Sequence, residues 1–520
     1  MVRAIRIVRI ATDNLEKCVG VYLSRCELMT IPIVDLFAGP GGLNEGFSGY
    51  SANNSTSNFE TIASFEMDAS ACETLALRET YRQLRPSGVG LESYYRLIRG
   101  EATIKELECD PAFSAALTAA RAEIHCLELG PESRRETNDI IRKALKGRGI
   151  KADTPWVLVG GPPCQAYSIA GRSRRVNDET FEDDKKHFLY REYLNILSTF
   201  QPPIFVMENV KGLLSSTHAG TGMFDRILRD LSEPSKGVSY SIHSLTKAGR
   251  ASSFRPEDFI IRSEDFGVPQ RRHRVILLGI RSDLDIQEIP KLHASEVVNV
   301  RDAIEDLPAL RSGVSKGSDD PRNWLAIRKR AADMIPHPPI NSIRNELSRG
   351  AAWYSRDNSE VLNSKLARWL HDPNLHGVAQ HTTRGHMAED LIRYWFAASF
   401  ATQKGYSPKL GDFPTDLLPR HANILSENRP FQDRFRVQVW DRPATTVVSH
   451  IAKDGHYYIH PDPYQMRSLT VREAARLQTF PDNYVFMGNR TSQFTQVGNA
   501  VPPLLAHQIA DVVSRIIKSI

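Results

Sequence analysis

The sequence predicts an α/β protein, an open and mostly parallel doubly wound sheet with helices on both faces, joined to a smaller domain of irregular rhythm. Three observations predict it. In the first part of the chain, short apolar runs alternate with helical patterns, the signature of strands buried on both faces. From about residue 311 to 435 that alternation gives way to proline, charge and scattered tryptophan (Trp324, Trp353, Trp369, Trp395). Helical patterns then return at Thr470–Phe480 and Leu504–Ile520, on either side of QVGNAVPP.

The expected strands are Ile31–Val34, Thr61–Phe65, Ile124–Leu129, Trp156–Val159, Ile204–Met207 and Val275–Ile280, with helices over Ala69–Arg85 and Phe188–Phe200. In such sheets ligands gather beyond the carboxyl ends of the strands. Four polar or glycine-rich segments follow strands here: Asp35–Gly42, Glu66–Asp68, Gly160–Ser168 and Glu208–Val210. Tyr81–Arg121 reads as a helical insertion and Ser51–Asn58 as a loop. The chain divides into an N-terminal extension (1–30), a sheet domain (31–310), the irregular domain (311–445) and a C-terminal segment (446–520) that returns to the first domain.

With 520 residues, 41% hydrophobic and 24% charged, the composition is that of a folded chain with at least one large core. The net charge of +5, from 66 basic and 61 acidic residues, is too small to announce a polyanion partner, so any nucleic-acid surface must be local. Cys18, Cys26, Cys72, Cys109, Cys126 and Cys164 form no CxxC pair, which suits a reducing compartment and gives no zinc spacing. No apolar stretch reaches the roughly 20 residues of a membrane span, and the N-terminus has no secretory pattern; the expected location is cytoplasmic. His381, His386, His450, His456 and His460 have no cysteine or carboxylate pattern among them and read as solvent or phosphate contacts rather than metal ligands.

The loop Asp35-Leu-Phe-Ala-Gly-Pro-Gly-Gly42 lies between a strand and a helix, where glycines let the backbone approach a ligand. Glu66 ends the next strand, 24 residues beyond Gly42, and can accept from ribose hydroxyls. Together they favour an adenosine-containing cofactor. In Gly160-Gly-Pro-Pro-Cys-Gln-Ala-Tyr-Ser168, Cys164 sits in a tight turn at a strand end, a place for a ligand rather than for a core. As a nucleophile it would need nearby positive charge to populate the thiolate. Glu208 directly follows the strand of Ile204–Met207, where partial desolvation favours the neutral acid and a proton can be donated near neutrality; a helix-capping carboxylate is the plainer alternative. Gln270-Arg-Arg-His-Arg274 places three arginines at a strand start, suited to a solvated edge or to phosphate.

In this order DLFAGPGG, Glu66, PCQ, ENV, QRRHR and QVGNAVPP resemble the DNA (cytosine-5)-methyltransferase family, over about residues 31–281 and 436–515. The resemblance implies a Rossmann-like domain dependent on S-adenosyl-L-methionine, with the irregular domain as its target-recognition domain. It makes Cys164 the nucleophile at cytosine C6 and Glu208 the group that protonates or hydrogen-bonds N3. Arg274, with Arg272 beside it, would sit near the flipped nucleotide's phosphate. Phe37, Ala38, Gly39, Gly41, Gly42 and Leu43 would cradle the cofactor, joined by Glu66, Met67, Gly161 and Pro162. Asn499, Ala500 and Val501 would return from the C-terminus to complete that pocket. For the adenine, Glu128, the Leu129–Gly130 backbone and Asp139 stand as alternatives.

On the DNA side the resemblance implies Gln165, Ser168, Arg172, Arg174 and Arg175, in a loop that closes over the duplex, and Thr446 within Arg442–Val448 as a recognition residue. The base must leave the stack to reach such a site. The expected partner is duplex DNA, with a companion restriction endonuclease or other defence protein by family habit, no metal, a monomeric state and, in a prokaryote, nucleoid association. Cytosine methylation in tRNA and a catalytically silent DNA-binding homologue are the alternatives. The long segment between Arg281 and Arg467 speaks for DNA, and the intact Cys164 and Glu208 speak for catalysis.

Overall fold

The computed structural model of the chain describes residues 30–51, 58–151, 154–163, 189–215, 217–218, 221–249, 253–284, 286–335, 347–355, 364–419 and 432–520. The main sheet has eight strands: β1 (Ile31–Leu36), β2 (Phe59–Glu66), β3 (Ile124–Cys126), β4 (Val157–Gly160), β5 (Ile204–Val210), β6 (Tyr240–His243), β7 (Ile260–Arg262) and β8 (His273–Arg281). Their order is β3-β2-β1-β4-β5-β8-β6, with β7 also paired to β8. The first five are parallel, but β8 runs antiparallel to β5, β6 and β7. The sheet is therefore mixed on one side of β5. Strands β6 and β7 went unpredicted because each is three or four residues long with alternate positions half-exposed or exposed. β3 ends three residues earlier than expected; Leu127 still donates to the Glu66 carbonyl before the chain turns away.

Alternation along the strands divides the core. Leu158, Phe205, Leu277 and Phe65 pack on one face under α6 (Arg134–Gly147), α7 (Tyr190–Phe200) and α8 (Met223–Ser232). Val157, Val159, Ile204, Val206, Ile276 and Leu278 pack on the other, under α1 (Gly42–Ser48) and α14 (Pro503–Ile517). Each such side chain contributes about 1.5–3 kcal/mol of burial. The predicted helix of residues 69–85 is α2 (Ala69–Leu84), capped by Asp68 accepting from the Ala71 N–H. The insertion is helical as expected: α3 (Leu91–Ile98), α4 (Ile104–Leu107) and α5 (Pro111–Glu123).

The region 311–445 is more regular than its sequence suggests. It holds α9 (Pro321–Met334), α10 (Lys365–Leu370), α11 (Ala388–Lys404) and an antiparallel pairing of Gly350–Ser355 with Gly377–Thr382. α9 and α11 share a core of Trp324, Ile327, Leu391, Tyr394 and Trp395. Residues 300–307 pack with Leu370, Val447, Ala474 and Val497 rather than with the sheet, and within the C-terminal segment it is chiefly α14 that rejoins the sheet. Thr470 and Glu473 form a capping box that starts α12 (Val471–Leu477), which precedes α13 (Arg490–Asn499). His381, His386, His456 and His460 are buried and hydrogen-bonded within the protein, which corrects their reading as solvent or phosphate contacts. Among the described residues no helix is long and apolar enough to cross a membrane.

Candidate active site

The glycine loop leaves β1 and is tied down from three sides. The Ala38 N–H donates to the Phe65 carbonyl at 3.0 Å. The Glu66 carboxylate accepts from the Gly39 N–H at 2.8 Å and from the Asp68 N–H at 2.9 Å. From the C-terminal part, the Tyr484 hydroxyl donates to the Pro40 carbonyl. Gly39 has φ +57° and nothing within 4 Å of where a Cβ would stand, so the loop opens onto free space there. Gly42 is the opposite case, because a Cβ on it would lie 2.1 Å from the Val501 carbonyl oxygen. Val501 thus returns against the loop as expected. Phe37 is partly buried against the apolar core, also at positive φ (54°), and Met67 is 66% exposed beside Glu66. The Leu43 side chain is buried in the core with Phe47, which leaves its backbone to face a cofactor.

Beneath this loop lies a residue the sequence reading passed over. Asp35 is 1% exposed, and neither carboxylate oxygen has a hydrogen-bond partner among the described residues. Burial foremost, then the nearby Glu66 charge, pushes its pKa up to about 8. An acidic residue inside an otherwise apolar strand was the available signal. The adenine alternatives differ in setting: Glu128 is exposed, its carbonyl taking the Ser133 hydroxyl, while Asp139 on α6 pairs with Arg142 at 2.6 Å.

At the end of β5, Glu208 Oε1 meets Arg274 Nε at 2.8 Å across the β5–β8 ladder, and both side chains are 13% exposed. Glu208 is therefore not a lone acid; its partner comes from QRRHR. A Cβ on Gly161 would lie 3.0 Å from Glu208 Oε2, so the turn after β4 runs directly past the carboxylate. The Asn209 amide donates to the Pro162 carbonyl at 3.3 Å, which fixes that turn to β5. Cys164 is the second residue after Pro162; it lies outside the described residues, as do Gln165, Ser168, Arg172, Arg174 and Arg175. Burial lowers the pKa of Arg274, with Glu208 opposing the shift.

Arg272 corrects an expectation. It is 2% exposed and donates to the Val447 carbonyl at 2.7 Å and the Gly498 carbonyl at 3.2 Å, which turns it away from any nucleotide phosphate. Unbroken strand alternation would put residues 272 and 274 on one face, but the strand is interrupted at Arg272, between the pairing of Gln270–Arg271 with Ala444–Thr445 and that of His273–Val275 with β7. Gln270–Arg271 pairs with Ala444–Thr445, and the Thr446 hydroxyl donates to the Arg271 carbonyl at 2.6 Å. The expected recognition signature therefore lies on the strand entry that also carries Arg274. The other expected pocket residues divide: Ala500 and Pro162 are buried, Asn499 is exposed, and Ala38, Gly161 and Glu66 are half-buried.

The doubly wound sheet, with a glycine loop after β1 and an acid–arginine pair after β5, is a Rossmann-like α/β fold whose candidate site lies at the carboxyl ends of its parallel strands. The chain belongs to the C-5 cytosine-specific DNA methylase family, whose sequence profile matches residues 131–515. It is an enzyme of the DNA (cytosine-5-)-methyltransferase class. It is 34% identical over 502 residues to the type II methyltransferase M.Bpa9945I of Bacillus paralicheniformis, covering 93% of this chain and 99% of that one. To the DNA (cytosine-5-)-methyltransferase M.ApeKI of Aeropyrum pernix it is 27% identical over 407 residues, 72% of this chain and 83% of that one. A solved structure described as a DNA modification methyltransferase encoded within an E. coli prophage superposes with a TM-score of 0.52 at 19% identity, covering 94% of this chain and 100% of that one, and supports the fold.

Proposed function

We propose that the enzyme transfers a methyl group from S-adenosylmethionine to C5 of a cytosine flipped out of a specific duplex sequence, through a covalent bond between Cys164 and C6. The observation that carries this reading is the Glu208–Arg274 pair beside the turn that leads to Cys164. The Cys164 thiolate adds to C6, and the displaced ring electrons move toward C5 and N3. Glu208, with Oε1 held by Arg274, acts as the neutral acid and donates the proton on Oε2 to N3, which cancels the charge that develops there; the proton returns to Glu208 when the ring is restored. After C5 is methylated it loses its proton to a base, and the C6–S bond breaks to return the thiolate.

The residues of the glycine loop fit the cofactor. Open space at Gly39, the Glu66 carboxylate with an acceptor lone pair to spare on each oxygen, and the Val501 closure at Gly42 make a cradle for an adenosyl group. When bound, S-adenosylmethionine supplies an electrophilic methyl on its sulfonium. The region 311–445 reads the duplex, with Thr446 at its border. The type II names of the relatives favour a companion restriction endonuclease, and the setting we favour is a monomer in the cytoplasm.

The test is transfer of labelled methyl groups to duplex DNA and to tRNA, followed by bisulfite sequencing of the DNA. Labelled cytosine in one DNA sequence context is the expected result. Labelling of tRNA alone, or of neither, contradicts it.

A further inference from the structure

The helical insertion α3–α5 lies before the span matched by the family profile, and nothing in the proposed chemistry uses it. It is nevertheless packed against the region 311–445. Tyr94, Tyr95 and Phe113 from the insertion share one apolar cluster with Leu375 and Ala379 from the region 311–445.

At the centre of that contact is Asp372, 8% exposed, in the turn after α10. Its Oδ2 accepts from the Tyr95 hydroxyl at 2.6 Å and from the Asn483 amide at 2.6 Å, while Oδ1 accepts the Asn374 N–H at 3.0 Å. One carboxylate thus receives donors from the insertion, from the C-terminal segment and from its own turn. The chain continues toward the cofactor side. Asn483 Oδ1 accepts from Arg78 on α2 at 2.9 Å, and Arg78 forms a forked ion pair with Glu45 at 2.9 and 2.5 Å. Glu45 lies on α1, the helix that begins directly after the glycine loop. Every member of this chain is buried and hydrogen-bonded, and its forked ion pair adds directional constraint, which favours one relative geometry of the parts it joins.

We propose that the insertion is a second footing for the recognition domain, and that Tyr95 and Asp372 are positioning residues that fix the pose in which that domain meets DNA. The proposal rests on the reading of residues 311–445 as the recognition domain. A protein that grips a duplex between two domains gains affinity when their relative pose is set before binding, because the ordering cost is met at folding. Loosening the footing therefore weakens capture of DNA and leaves the chemical step intact once DNA is bound.

The experiment uses the full chain and compares Tyr95→Phe with the parent enzyme on duplex DNA carrying its methylation site. Loss of a hydrogen bond to a buried carboxylate is expected to raise KM for DNA about tenfold, with kcat at saturating DNA and the affinity for S-adenosylmethionine unchanged. Asp372→Asn, of nearly the same shape, is expected to give the same split, and adding Tyr95→Phe to it to raise KM little further. Unchanged KM in both variants overturns the footing. So does a parallel loss of kcat, KM and cofactor affinity, which marks general loosening. Thr446→Ala, in the same assay, checks the recognition reading: altered site choice or KM there beside unchanged Tyr95→Phe kinetics removes the footing alone, and no change in any variant removes both.

Discussion

At the scale of single residues, the site rests on two arginines that are neighbours in sequence and opposites in role. Arg274 holds Glu208, so Glu208→Gln keeps the shape but loses the proton-donating acid; we expect kcat to fall about 10²–10⁴-fold, with S-adenosylmethionine affinity held within a factor of two, in single-turnover assays and calorimetry. Arg272 ties the Val447 and Gly498 carbonyls together. Arg272→Lys keeps a charge but cannot bridge both, and should cost about 1–3 kcal/mol of stability in urea unfolding. The sequence displayed both arginines in one motif and could not separate them, because which side of a strand entry a side chain takes depends on pairing with Ala444–Thr445, some 170 residues away. Asp35 was visible as an acid in an apolar strand, but its lack of any partner is a property of the packed loop above it.

At the scale of elements, the glycine loop gives a paired prediction. Gly42→Ala drives a methyl into the Val501 carbonyl, so we expect about 1–3 kcal/mol of destabilisation and a loss of cofactor affinity together. Gly39→Ala meets open space and costs only its left-handed backbone, about 1–2 kcal/mol, yet it places a methyl where a ligand would lie. Thermal unfolding with and without S-adenosylmethionine checks both: each variant is expected to start lower than the parent and to show a smaller cofactor-induced rise, Gly42→Ala through the displaced Val501 and Gly39→Ala through the methyl itself. Strands β1, β2, β4 and β5 and the helices beside them were legible because runs buried on both faces are apolar, whereas β3, three residues long and half-exposed, was legible only at its start. β6 and β7 were not, since a short edge strand with one wet face carries too few apolar positions to stand out. The helix pair α9–α11 was hidden differently, by prolines and charges between elements that pack together only in three dimensions.

At the scale of the whole molecule, burial sets the pH range in which the fold survives. His381 and His386 are held neutral by burial, with pKa values lowered to about 4 and about 3, and burial also holds His460 well below the ordinary imidazole value. The unfolded chain, with histidines near 6.5, binds more protons than the folded one between about pH 4 and 6.5, so stability falls as pH drops through that window. Asp35 acts in the opposite sense: its pKa is raised from the ordinary 3.8 to about 8, so its contribution to stability is lost progressively as pH rises from about 4 through 8, and Asp35→Asn should remove that slope. Melting temperatures from pH 5 to 9 check both. A change of rhythm near residue 311 is visible in the sequence, whereas the packing of 300–307 with 444–500 is not, because that core joins segments far apart in sequence. The central proposal is the covalent step at Cys164, and a duplex carrying 5-fluorocytosine at the target position tests it directly, since fluorine at C5 blocks the final elimination. The account predicts a covalent protein–DNA adduct that requires S-adenosylmethionine, maps by peptide mass spectrometry to Cys164 and vanishes in Cys164→Ser. An adduct of undiminished yield in Cys164→Ser, or one mapped to another residue, would contradict it.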